Sequence, residues 1–575
     1  MPEFFLQPSM RRIHNIKREF RQMEKAGKVR ITLMVLIIFC LSTSIAQEII
    51  DGDWIGEFII AEKATYFRAC FISEGKMIKG TLDFPLQNLT NQELSQISLD
   101  SLHVHFELPK EKEALIFDGK LEKERLSGTV KQGEQQGSFE LIHIAKIDPK
   151  IYEQYIGDYE LGPATYVSIF KTAQAAEEGQ FSFHDFESGR IGNLFPLSET
   201  EFFTGPSFTV DYPIDVKVTF VKDDSGKVSE LIWEKPGIQK IAAPKAQLYA
   251  EEEVTFHNGD VTLAGVLKVP VTEGPHPAVV LIHGSGAGSR EQLTILAHFF
   301  VHKGFAVLSF DKRGCGASTG DWRRAGFDDL AGDALAGVEF LQKYRNIDPK
   351  QVGLWGISQG GWIAPLAASF SKEVAFIISH SGPGVTPAKQ ELYRLSNVLP
   401  MIGFSEQEVT KIAEVYELLF EFVKTGEKAE RLDTAIIKLR ENPRLSRLLP
   451  PLSQNIKIEE LYKNQPIGDP GWYLHLDVDF DPVPIYAKVT CPVLAIYGMY
   501  DFTLPVEESI ERIEAALKVS GNTDYTIKIL SNAGHGILET KGSALSDFVS
   551  PPKAAHGYFD MMADWLQKRF GKRKD

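Results

Sequence analysis

From residue 47 to about 245, apolar and polar positions alternate with a period of two over short stretches. Examples are His103-Val-His-Phe-Glu-Leu108, Gln180-Phe-Ser-Phe-His184 and Asp215-Val-Lys-Val-Thr-Phe-Val221. Successive side chains of a strand point to opposite faces, so the alternation predicts half-buried β-strands. Turn residues such as Ser73-Glu-Gly75 separate these stretches and almost no helical period intervenes. An all-β region, sandwich or small barrel, is expected. Its openings Gly52-Asp-Trp-Ile-Gly56 and Tyr155-Ile-Gly-Asp-Tyr159 resemble one another and suggest two β-rich modules, 47–145 and 146–245.

Around Ala243-Pro-Lys245 the pattern changes. Apolar runs at Ala278–Ile282, Ala306–Phe310, Val352–Ile357, Val374–Ser379, Val493–Tyr497 and Tyr525–Leu530 are separated by helical stretches. Strands that read as continuous apolar runs are buried on both faces, which predicts a mostly parallel, doubly wound sheet over 246–575. Between the fourth and fifth runs lies a segment of about 384–487 that is too long for a connection. Ser405-Glu-Gln-Glu408 reads as a capping box, with Val409, Ile412, Tyr416, Leu419 and Val423 following at helix spacing, so a helical cap is expected there.

The first 46 residues read as an address. Eight Lys/Arg precede the apolar run Ile31–Leu41, and small residues Ser44 and Ala46 follow. This is the pattern of a secretory signal peptide, with cleavage expected after Ala46 and export to the periplasm or outside the cell. The run from Ile31 to Ala46 is shorter than the ~20 residues of a spanning helix, so no membrane span is expected in the mature chain. A retained N-terminal anchor is the alternative, and Met23 is a second candidate start. Phe39 before Cys40 argues against lipid attachment.

Composition is that of a globular chain: 575 residues, 43% hydrophobic and 24% charged. Net charge is −15; without residues 1–46 the 62 basic and 77 acidic residues become 54 and 74, a net of −20. An acidic chain with no long basic run outside its N-terminus repels phosphate backbones, which argues against nucleic-acid binding. The remaining cysteines, Cys70, Cys315 and Cys491, are scattered and odd in number, so neither a disulfide framework nor a zinc site is expected.

Chemistry concentrates in the second half. Gly356-Ile-Ser-Gln-Gly360 follows a buried strand and opens a helix, the context in which a Gly-x-Ser-x-Gly turn presents its serine above the C-terminal edge of a sheet. Ser358 is therefore a candidate nucleophile, and a serine hydroxyl needs a base. On such a sheet the acid and then the histidine follow in chain order. Asp501, after the run Val493–Tyr497, is the candidate acid; Asp477, Asp479 and Asp481 precede that run and suit the junction of cap and sheet. His535, in Asn532-Ala-Gly-His-Gly536, is the candidate base, whereas His556 reads as a surface or capping residue. A tetrahedral oxyanion requires fixed N–H donors. The amide of Gln359 is one candidate; the other is that of Ser285, with Gly286 as its alternative, in His283-Gly-Ser-Gly-Ala-Gly288. His283 is expected to pin that loop. The loop has neither the Lys-Ser/Thr of a P-loop nor G-x-G-x-x-G spacing, and the mechanism calls for no metal or organic cofactor.

Five motifs, His283-Gly-Ser-Gly286, Asp311-Lys-Arg-Gly-Cys-Gly-Ala-Ser318, Gly356-Ile-Ser-Gln-Gly360, Gly498-Met-Tyr-Asp501 and Gly534-His-Gly536, stand in order over about 330 of the 575 residues. This stretch resembles the α/β-hydrolase superfamily, most nearly its serine aminopeptidase S33-like branch, whose motifs esterases share. The resemblance implies an α/β-hydrolase fold with a helical cap, preceded by the all-β region, and catalytic roles for Ser358, Asp501 and His535. It also implies that Asp311–Ser318 shapes the rim of the site, with Cys315 a packed thiol. Hydrolysis of a small carboxylic ester through an acyl-enzyme is the leading expectation. A peptidase or amidase with the same triad, a non-catalytic binding or sensor protein, and acyl transfer to another acceptor are the alternatives. His380-Ser-Gly-Pro-Gly384 is expected to line the pocket.

Overall fold

The computed structural model describes residues 50–571 apart from 76, 85–88, 111–112, 175–176, 206–213, 236, 238–239, 447–476 and 541–552. The expected leader, its cleavage point and much of the second half of the cap lie outside the described residues. Two compact units are present. One comprises the described residues up to Asp148 with Phe195–Asp215, the other Pro149–Leu194 with Val216–571.

Nine antiparallel strands between Gly52 and His143 form one sheet, in chain order except that Gly52–Ile60 lies between Lys63–Glu74 and Gln135–His143. Its edge strands, Leu89–Glu93 and Ser95–Asp100, are separated by Leu94 alone, so the sheet curls until its edges meet. The alternation seen in the sequence fills the inside: Val104, Phe106 and Leu108 point inward, and Phe106 stacks on Phe117 with ring centroids 4.6 Å apart. A second set of eight strands, Gly157–Gly162 to Ile241–Ala246, forms a closed barrel in chain order. The two similar openings each begin a strand set with the same device. Trp54 Nε1 donates to the carbonyl of Ile50 (2.8 Å), and the Tyr159 hydroxyl donates to that of Tyr155 (2.7 Å). Both partners lie four residues upstream, so a buried aromatic spends its polar atom on its own strand entry.

The third sheet carries the candidate site. Its order is Tyr249–Asn258, Val261–Pro270, Ala306–Phe310, His276–Ile282, Ile347–Ile357, Ile377–His380, Val493–Gly498, Tyr525–Leu530. The first two strands are an antiparallel hairpin and the other six run parallel. Alternate residues serve opposite faces. Ala278, Val280 and Ile282 pack toward helices Phe327–Gln342, Gly360–Phe370 and Val506–Val519, while Val279 and Leu281 pack toward Thr294–His302 and Tyr558–Phe570. With helices on both sides the central strands His276–Ile282, Ala306–Phe310, Ile377–His380 and Val493–Gly498 are buried on both faces, which is why the sequence shows apolar runs there. Each fully buried Val, Leu or Ile contributes about 1.5–3 kcal/mol.

Three helices of the cap, Pro387–Met401, Glu406–Thr425 and Ala429–Arg440, share a core that includes Val409, Ile412, Tyr416, Leu419, Leu432 and Ile436. The Ser405–Glu408 capping box is formed in both directions. Among the described residues no helix is long and apolar enough to cross a membrane. Leu281 is fully buried in the central strand. Leu281→Ala should therefore cost about 2–5 kcal/mol through lost transfer energy and the cavity left behind, read as a lowered urea midpoint of the unit that carries it.

Candidate active site

Ser358 sits on the turn between the strand Ile347–Ile357 and the helix Gly360–Phe370, with φ at +53°. A non-glycine residue in that region costs on the order of 1–3 kcal/mol and persists only when its surroundings impose it. Here they do. A Cβ on Gly356 would lie 2.2 Å from the carbonyl oxygen of Gly360, and one on Gly360 would lie 2.7 Å from that of Ile282. Strand, turn and helix thus meet backbone to backbone, and the Ser358 N–H is tied to the carbonyl of His380 (2.9 Å).

Asp501 and His535 follow the parallel strands Val493–Gly498 and Tyr525–Leu530, so all three candidates leave the same C-terminal edge of the sheet. The structure brings Asp501 and His535 together, with 2.7 Å between Asp501 Oδ2 and His535 Nδ1. The other carboxylate oxygen accepts the N–H groups of Thr503 (2.8 Å) and Leu504 (3.2 Å), which fixes the buried carboxylate from behind. His535 remains partly exposed. Its loop is held by Ser381, which the sequence places among the expected pocket-lining residues His380–Gly384 without this role. The Ser381 hydroxyl donates to the carbonyl of His535 (2.7 Å), and its N–H donates to that of Ile496 (2.8 Å). Ser381 also has a positive φ, +48°. His556, by contrast, is exposed beside the cap of the last helix.

The loop after His276–Ile282 exposes Ser285. Among the described residues, neither the Ser285 N–H nor the Gln359 N–H donates to a protein acceptor. His283 pins this loop through its Nε2, 2.7 Å from the carbonyl of Phe310, and burial pushes its pKa down to about 4. The segment Asp311–Ser318 is more than a rim. Burial would raise the Asp311 pKa, yet the Arg290 guanidinium, bonded to both its oxygens, holds it below the usual carboxylate range. Arg313 forks onto Asp333 with two contacts of 2.7 Å. Lys312 Nζ donates to the carbonyls of Gly284 (2.9 Å) and Gly286 (3.1 Å) and to Gln359 Oε1 (2.7 Å). Cys315 accepts from the Gly288 N–H (3.4 Å) and is a free thiol.

His380 to Gly384 is buried throughout. Rather than lining an open pocket, its groups are spent on packing. His380 Nδ1 lies 2.9 Å from the Tyr558 hydroxyl, Tyr497 donates to the carbonyl of Gly382, and Arg512 donates to that of Gly384. Of the acidic residues near the cap junction, Asp479 pairs with Lys424 and Asp481 with Arg512. Among the described residues no group of three or more His, Cys, Asp or Glu is arranged to hold a metal ion.

Residues 279–547 match the sequence profile of the alpha/beta hydrolase family, and the strand-to-helix serine turn described above is that of its fold. The C-terminal half of the chain belongs to the alpha/beta hydrolase family. An uncharacterized 31.7 kDa protein of Escherichia coli is 25% identical over 268 residues, covering 44% of this chain and 83% of that protein. Esterase EstD of Thermotoga maritima is 23% identical over 367 residues, covering 62% and 77% respectively. Among solved structures, an esterase of Pyrococcus furiosus is 17% identical, covering 56% of this chain and 92% of its own, with a TM-score of 0.37.

For the hydrolase turn itself a test follows. Gly356→Ala places a methyl group against a backbone that cannot retreat, and should cost at least about 2 kcal/mol, measured as a fall in the urea midpoint.

Proposed function

We propose that this protein is an exported serine hydrolase that cleaves carboxylic esters through Ser358, His535 and Asp501. The observation that carries the reading is the strained Ser358 turn on the same sheet edge as an Asp501–His535 contact of 2.7 Å. The name of one relative, an esterase, supports the substrate class. Export rests on the basic, apolar and small-residue order of residues 1–46.

In this mechanism the Ser358 hydroxyl attacks the ester carbonyl while His535 Nε2 takes its proton. Asp501 accepts the Nδ1 proton of His535, fixes the tautomer and stabilises the imidazolium. The carbonyl oxygen becomes an oxyanion and receives the Ser285 and Gln359 N–H groups, each worth roughly 10²–10³ in rate. Collapse expels the alkoxide, which leaves as the alcohol with the proton held by His535. Water then attacks the acyl-enzyme, His535 takes its proton and returns it to Ser358, and the acid departs.

The aminopeptidase alternative needs a buried carboxylate to hold the substrate's ammonium. Glu391 is the buried acidic residue among the described residues of the cap, and it is neutralised by Arg394 through contacts of 2.8 and 2.6 Å. That pairing favours an uncharged ester.

The test is hydrolysis of short- and medium-chain p-nitrophenyl esters by the full chain. Ser358→Ala should lower kcat by on the order of 10⁶, and Asp501→Asn by about 10⁴, in proteins with unchanged melting curves. Equal turnover by the wild type and Ser358→Ala would refute the nucleophile. Release of N-terminal residues from peptides without ester turnover would favour the aminopeptidase.

A further inference from the structure

We propose that Lys312 is a positioning residue of the oxyanion site, its ammonium holding the Ser285 peptide so that the N–H faces the reacting carbonyl. This rests on the serine-hydrolase reading above. In a trans peptide the C=O and N–H point in opposite directions. The Gly284 carbonyl and the Ser285 N–H belong to one peptide unit, and that carbonyl is bonded to Lys312 Nζ at 2.9 Å. The N–H of Ser285 is therefore aimed away from the ammonium, toward the exposed side of the loop. The same ammonium holds the Gly286 carbonyl and the side-chain oxygen of Gln359, whose amide is the other candidate donor. One cation thus joins the two loops that carry both donors.

Three oxygens around one nitrogen require three N–H groups. A neutral amine has two and a lone pair, so the arrangement is complete only with the ammonium. Buried lysines ordinarily sit against a carboxylate. Here the nearby Asp333, on the helix Phe327–Gln342, is engaged by the Arg313 fork, and Asp311 by Arg290. The remaining neighbours are Cys315 on the same loop, His283, kept neutral by burial, and the Trp322 ring 5.7 Å away. A buried charge spent on neutral oxygens is a costly way to stabilise a fold, and a direct way to orient and polarise peptide groups. Burial pulls the Lys312 ammonium down to about 8, so its charge is present below that pH and is lost above it.

Lys312→Met keeps the length of the side chain and removes the charge. In the full chain with p-nitrophenyl esters, kcat should fall about 30- to 100-fold, somewhat less than the loss of a whole oxyanion donor because the N–H remains but is no longer held, with KM within about twofold. Affinity for a trifluoromethyl ketone, which forms the oxyanion, should fall by the same factor, while affinity for the product acid should hold. A folded Lys312→Met with near wild-type kcat would overturn the proposal. Equal losses for the ketone and the acid would do the same, since they would mark general disorder. If the variant does not fold, the wild type decides. A fall in kcat centred near pH 8 at constant KM is expected, and a kcat flat to about pH 9.5 would overturn the proposal. Ser358→Ala in parallel separates the two ideas: if it is as active as wild type the hydrolase reading fails, whereas a dead Ser358→Ala beside an active Lys312→Met leaves that reading intact and removes only Lys312.

Discussion

Two backbones meet at Gly356 and Gly360 more closely than any side chain would permit, and the geometry of the candidate site follows from that approach. With a Cβ excluded at both positions, the strand Ile347–Ile357 passes directly into the helix Gly360–Phe370, and Ser358 is forced to a positive φ. The cost of that conformation is met by the sheet, whose central strands are sealed by apolar side chains on both faces. Because six strands run parallel, their C-terminal ends gather on one edge, and the loops there bring Asp501 and His535 into contact without any special sequence between them.

Around this apolar scaffold the candidate site depends on a small number of charged side chains. The run Asp311-Lys-Arg313 places three ionised groups in succession, and each reaches a different part of the structure. Asp311 meets Arg290, Lys312 meets the glycine loop and Gln359, and Arg313 meets Asp333. Removing one member of the Asp311–Arg290 or Arg313–Asp333 pair would leave its partner's charge uncompensated, which costs more than the pair contributes. Ser381 does comparable work with neutral groups, tying the histidine loop to the strand Val493–Gly498.

Much of this was legible in the sequence because its signals are local. A period of two marks Val104, Phe106 and Leu108 as inward residues, and they are. Unbroken apolar runs marked the parallel strands, and the Ser405–Glu408 pattern marked the start of a helix that begins there. The hairpin Tyr249–Pro270 was not singled out, since the outer strand of the pair is mostly exposed and lacks the apolar run of its parallel neighbours. The short strand Ile377–His380 was expected to begin near Val374, where the chain is apolar and buried but not yet in the ladder. The individual roles of Lys312 and Ser381 were illegible for a different reason. The sequence assigns Lys312 only a share in the rim Asp311–Ser318, and only the fold reveals that its side chain crosses to a loop 28 residues earlier and to Gln359, 47 residues later. His380–Gly384 misled in the opposite sense: glycines after a strand suggested an open pocket, whereas they admit close packing.

The most direct test of a nucleophilic Ser358 is to treat the full-length protein with a fluorophosphonate and locate the adduct by mass spectrometry of its peptides. A single phosphonyl group on Ser358, absent from Ser358→Ala, is expected. An adduct on another residue, or none on a protein that turns over esters, would contradict the assignment.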